Sequence, residues 1–78
     1  METLEYAVCL FPSVSHTLTA EKILKGKGVP YKLIPVPRHI SSDCGVCLRV
    51  SIEQRDAVER ALRGHVDWEG IVPLRAGE

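Results

Sequence analysis

The residues of this chain best suited to chemistry gather in one polar stretch, Pro37 to Gly45, which holds Arg38, His39, Ser41, Ser42, Asp43 and Cys44. Cys44 also forms a C-x-x-C pair with Cys47, as Cys44-Gly45-Val46-Cys47. Two sulfurs at that spacing converge on one partner, either on each other as a redox disulfide or together on a soft metal ion. Redox pairs usually open a helix, whereas this one straddles a loop and the start of a strand. A zinc site would need two more ligands from Cys9, His16, His39 and His65, and the sequence has no second C-x-x-C and no H-x-x-x-H. The expectation is therefore no metal and no cofactor. The acidic residues form no convergent pair, no nucleophile elbow is present, and no glycine-rich phosphate loop appears. What remains is the chemistry of a single nucleophilic thiol, Cys44. Gly45 leaves no side chain beside that sulfur and allows backbone conformations that other residues avoid. Arg38 and a helix start near His16 would both favour thiolate over thiol, and Asp43 would oppose them. Cys9 reads as a small core residue, Cys47 outside a redox role as strand filler, and His39 and His65 as surface residues.

These residues need a scaffold, and the apolar pattern supplies one. Tyr6 to Phe11 is a continuous apolar run ended by Pro12, as in a strand buried on both faces. Ser13 and Ser15 are candidate caps for a helix from about His16 to Lys27, with Ala20, Ile23 and Leu24 on its inner face. Gly26, Gly28 and Pro30 end that helix. Tyr31 to Val36 reads as a second strand, and Pro35 with Pro37 assigns it to a sheet edge. Val46 to Val50 alternates Val46, Leu48 and Val50 against Cys47 and Arg49, which predicts a half-buried third strand. Ser51 with Gln54 is a capping-box pattern, opening a helix to about Arg63 with Val58, Ala61 and Leu62 inward. Gly64 stops it, and Trp68 to Leu74 forms the last strand.

The order β-α-β-β-α-β predicts an α+β ferredoxin-like sandwich: a four-stranded antiparallel sheet with both helices on one face. A weak internal echo, Ile34-Pro35-Val36-Pro37 and Ile71-Val72-Pro73, closes each half. That topology brings Pro12–Thr17, Pro37–Gly45 and Gly64–Trp68 to one end of the sheet, and all three histidines with them. The Pro37–Gly45 connection is longer than a hairpin needs, as functional loops often are.

Composition excludes several classes. The 78 residues make room for one small domain, 1–78, ordered over about 5–75. Ten basic residues balance ten acidic ones, which argues against binding to nucleic acid or anionic membranes. No apolar run approaches the roughly 20 residues of a membrane span. An acidic N-terminus without a signal pattern, and an odd count of three cysteines, point to the cytoplasm.

The segments Phe11-Pro12-Ser13-Val14-Ser15-His16, Ala20-Glu21-Lys22, Ile34-Pro35-Val36-Pro37-Arg38 and Ser41-Ser42-Asp43-Cys44-Gly45 fall in an order that resembles a small bacterial family, the selenium/sulfur carrier protein-like domains. The resemblance runs from about Glu5 to Leu74, and P-x-P-R-x-I-S-S-x-C-G is its most specific part. It implies a cytoplasmic carrier, more an accessory protein than an enzyme. Cys44 would hold the chalcogen as a persulfide or perselenide between a donor and an acceptor protein. His16 and Arg38 would stabilise the anion, and Ser13, Ser41 and Gly45 would surround it. Cys47 stands where the family pattern commonly has an apolar residue, and the C-P-x-P helix start of the better-known sulfur-relay proteins is absent. Two other readings stay open. One is a docking module or homodimer using the uncovered sheet face, with Cys9, Val8, Leu33 or Ile34 and Val72 on it. The other is a thiol redox or metal-handling protein that uses Cys44 and Cys47 together.

Overall fold

The apolar run near the start of the chain becomes an inner strand, because its side chains find cover on both sides. A computed structural model of the chain describes residues 4–37, 40 and 45–75. The first strand, β1, is Leu4–Leu10. Its residues alternate between two layers, as the two-residue period of a strand dictates. Ala7 and Cys9, with Phe11 just beyond the strand, pack with Ala20, Leu24, Leu48, Val50, Val58 and Leu62. Val8 and Leu10 point the other way and pack with Cys47 and Leu74.

Helix α1 is Val14–Lys27, two residues longer at its start than the sequence pattern suggests. Of the two candidate caps Ser13 is the one used: its backbone is extended and its Oγ accepts from the His16 N–H at 3.2 Å. Ser15 lies inside the helix, where its carbonyl accepts from Thr19 Oγ1 at 2.9 Å. Thr17 is buried, and its hydroxyl donates to the Ser13 carbonyl at 3.2 Å. Ala20 and Leu24 are buried as expected, and Ile23 packs partly buried against the same core. Gly28 ends the helix at φ +74°, a left-handed conformation in which its N–H reaches the Leu24 and Lys25 carbonyls.

Strand β2, Lys32–Pro35, is shorter than the Tyr31–Val36 expectation and lies at the sheet edge, as its prolines imply. Strand β3 is Val46–Ser51. A single 3-10 turn, Ile52–Gln54, separates it from helix α2, Arg55–Leu62. The capping box does not form. Ser51 is still paired with Tyr6 in the sheet, and neither Ser51 nor Gln54 makes a side-chain cap. Val58, Ala61 and Leu62 are nonetheless buried. Strand β4 is Gly70–Arg75 and starts after Trp68, which packs partly buried against the helix-side core.

The strand order is β2-β3-β1-β4, and every neighbouring pair is antiparallel. Both helices contribute to the layer that receives Ala7, Cys9, Leu48 and Val50, so they share one face of the sheet. This is the ferredoxin-like sandwich. Each outer strand carries a proline, Pro35 in β2 and Pro73 in β4.

The register corrects two expectations about the cysteines. Cys9 pairs with Leu48 and faces the helices, so it contributes nothing to the helix-free face. Cys47 pairs with Leu10 and Ile34 on the helix-free side, and it is fully buried there. Simple alternation fails for β3 because both faces of the sheet are covered at its first turn of pleat. Leu33 pairs with Leu48 and therefore also belongs to the helix side, while Ile34 and Val72 are on the helix-free face.

Candidate functional site

One end of the sheet collects the connections to which the sequence pattern assigns the candidate site. Leu10 pairs with Cys47 and Gly70 there, and Pro35 pairs with Val46. Helix α1 begins at that end, and the segment after α2 returns to it, closed by Glu69 N–H donating to the Leu10 carbonyl at 2.7 Å. Gly64, at φ +81°, turns the chain out of α2, and the His65 and Val66 N–H groups both return to the Leu62 carbonyl.

Between α1 and this segment lies a cleft of about 440 Å³, lined by Ser15, His16, Thr19, Gly64, His65, Val66 and Asp67. The topological expectation that Pro12–Thr17 and Gly64–Trp68 converge is realised here. His65, which the sequence reading places on the surface, is exposed and also shares the cleft with His16. Thr19 and Asp67 carry no sequence signal, and only the convergence of their segments points to them.

Ser13 fixes His16. Its Oγ accepts from the His16 backbone N–H and lies 2.6 Å from His16 Nδ1. Where the hydroxyl donates to Nδ1, the ring carries its hydrogen on Nε2; where Nδ1 carries the hydrogen, it donates to the hydroxyl. The serine thus fixes the orientation of the ring at the positive end of α1, an arrangement suited to an anion when Nε2 carries a hydrogen. Among the described residues no three His, Cys, Asp or Glu side chains come together to hold a metal ion.

The connection between β2 and β3 begins at the same end. Val36 N–H donates to the Gly45 carbonyl at 3.1 Å and closes the loop. Gly45 has φ +79° with open space where a Cβ would stand, so its backbone conformation and not crowding calls for glycine. Ile40 N–H donates to the Pro37 carbonyl at 3.0 Å, and its side chain packs on the helix-free face against the Val8, Leu10, Cys47 and Leu74 cluster. Ser13 and His16 belong to the helix layer on the other side of the sheet. Arg38, His39, Ser41, Ser42, Asp43 and Cys44 lie outside the described residues.

The two described cysteines are both buried thiols. Burial pushes the Cys9 thiol up to about 12, the charges of Cys47 and Glu59 push the same way, and Arg55 opposes them. The consequence for stability follows from the sign. Below about pH 9 the thiol is protonated in both folded and unfolded chains. Between about 9 and about 12 only the unfolded chain releases the proton, so stability falls as pH rises, by up to roughly 1.4 kcal/mol per pH unit. Urea midpoints at about pH 8 and about pH 10 are expected to drop less in Cys9→Ala than in the native chain. Equal drops would show that Cys9 ionises in the fold as readily as out of it.

A family model described as "Putative Se/S carrier protein-like" matches residues 6–73. No curated protein and no solved structure matches the chain. Among the described residues no helix is long and apolar enough to cross a membrane.

Proposed function

The chain belongs to the Se/S carrier protein-like family, and on that premise we propose that it holds a sulfur or selenium atom on Cys44 and passes it between a donor and an acceptor protein. The observation that carries the choice of thiol is the complete burial of the other two, Cys9 in the helix-side core and Cys47 in the helix-free one. A carrier thiol must meet two other proteins in turn, which a core position forbids.

The transfer balances without a cofactor. The Cys44 thiolate attacks the terminal sulfur of a donor persulfide; a new S–S bond forms, the donor's S–S bond breaks, and the donor leaves as a thiolate. An acceptor nucleophile then attacks the same terminal atom and restores the Cys44 thiolate. Selenium follows the same path with selenium as the terminal atom. No net oxidation occurs, so the chain needs neither a second thiol nor an electron carrier. In this reading Arg38 and His16 stabilise the anionic adduct, and Ser13, Ser41 and Gly45 shape its surroundings. The reading requires the Cys44 loop to come round to the side of the sheet on which Ser13 orients His16. The burial of Cys47 among Val8, Leu10 and Leu74 supports reading it as a core residue more than as a resolving thiol.

The test uses the native chain, whose two buried thiols, Cys9 and Cys47, are expected to resist alkylation until it unfolds. Alkylation across a pH series, read by intact mass, gives the Cys44 thiolate midpoint, expected well below the roughly 8.5 of a free cysteine. Exposure to a persulfide donor is expected to add one sulfur atom, located on Cys44 by peptide mapping. An ordinary midpoint with no adduct would overturn the carrier reading.

A further inference from the structure

The end of the sheet opposite the β2–β3 connection holds a second cleft. It has a volume of about 340 Å³ and is lined by Tyr6, Pro30, Tyr31, Lys32, Arg49, Val50 and Ser51. Lys32 and Arg49 are register partners on β2 and β3, so two cations stand side by side on the helix-free face. Like charges directly opposite across strands repel, and the arrangement weakens the sheet unless an anion lies between them. No acidic side chain lines the cleft, and neither cation has an ion-pair partner among the described residues. The chain as a whole has no net charge, so this is a local concentration of positive potential and not part of a basic surface.

The two cations are also unlike in what they offer. The Arg49 guanidinium lies 4.3 Å from the centroid of the Tyr6 ring and stacks on it. Stacking spends the face of the guanidinium and leaves its edge of N–H donors free, in the fork that matches two oxygens of one oxyanion. Lys32 adds a mobile point charge. Ser51 supplies a hydroxyl, and its side chain caps no helix. On the other wall stand Tyr31 and Pro30, and partial burial together with the nearby Glu21 carboxylate pushes the Tyr31 phenol up. The cleft is larger than a bare phosphate fills and falls in the range of about 300–1,000 Å³ typical of small-molecule sites.

We infer that this cleft binds a phosphate monoester borne on a small flat molecule, its phosphate between Lys32 and Arg49 and its body against Tyr31 and Pro30. The site lies at the end of the sheet opposite the β2–β3 connection and does not depend on the carrier reading. Phenyl phosphate is the probe, titrated into the full-length chain with amide chemical shifts as the readout. Saturable shifts are expected at Lys32, Arg49 and Ser51. The Lys32→Gln, Arg49→Gln double variant is expected to bind at least tenfold more weakly, with a Lys22→Gln control unchanged. Lys32→Gln alone changes an exposed side chain and keeps the test valid should the double variant unfold; about threefold weaker binding is expected from it. Tyr6→Leu, which removes the ring under Arg49, is expected to weaken binding severalfold. The inference is overturned if inorganic phosphate binds as tightly as the ester, or if the glutamine variants bind as tightly as the native chain.

Discussion

Truncating Phe11 to alanine is expected to cost roughly 3–5 kcal/mol, the range for removing a buried aromatic side chain. Phe11 is the largest fully buried side chain, and it sits where β1 hands over to Pro12 and the cap of α1. Its ring is part of the cluster that joins both helices to the sheet, so the cavity it leaves has strand residues on one wall and helix residues on the other. Neither layer can collapse into it without shifting the register between them. A chain of 78 residues has a total stability of roughly 4–12 kcal/mol. The truncation therefore removes between about a quarter of the stability and all of it. The measurement is the urea midpoint with the slope held in view, because an unchanged slope shows that the native state has lost stability and not compactness. A loss below about 1.5 kcal/mol would mean that the core refills the gap.

The second large effect separates the two thiol chemistries. Cys44→Ser is expected to abolish uptake of sulfane sulfur altogether, since the hydroxyl forms no persulfide. Cys47→Ser is expected to leave uptake intact and lower stability by about 1–3 kcal/mol, because it buries a hydroxyl among Val8, Leu10 and Leu74. A redox pair predicts the opposite distribution, with both variants equally inactive. Uptake by intact mass and stability by urea midpoint, run on the same two variants, read both quantities. Loss of uptake in a folded Cys47→Ser chain would replace the one-thiol carrier with a dithiol protein.

Much of this architecture is legible in local patterns, and the exceptions have physical causes. The run Tyr6–Phe11 reads as a buried strand because no polar residue interrupts it. Pro35 locates β2 at the edge because a central strand has no use for a residue without an N–H. The capping box at Ser51 and Gln54 misleads because Ser51 is still engaged in the sheet opposite Tyr6, and a residue in the ladder cannot also begin a helix. The chain winds through a 3-10 turn first. The burial of Cys47 escapes alternation because that rule assumes one covered face, whereas Ile34, Val36, Ile40 and Val72 pack against the helix-free side as well. Of the site, the approach of His16 to His65 follows from topology alone. The Lys32–Arg49 juxtaposition does not, because register between strands is set by a turn and a hydrophobic pattern that no single segment displays.

The prolines of the two outer strands have a consequence for how this small protein meets others. A sheet with open edges invites foreign chains to continue it, each new strand docking through main-chain hydrogen bonds, and this is the usual route to edge-to-edge aggregation. Pro35 on one margin and Pro73 on the other each leave a gap in the row of donors such a strand would need. Main-chain recognition, which reads almost any extended peptide, is thereby discouraged on both sides. Partners must instead be chosen by side chains on faces and in clefts, so a domain of this size can be selective about its visitors while remaining safe at high concentration.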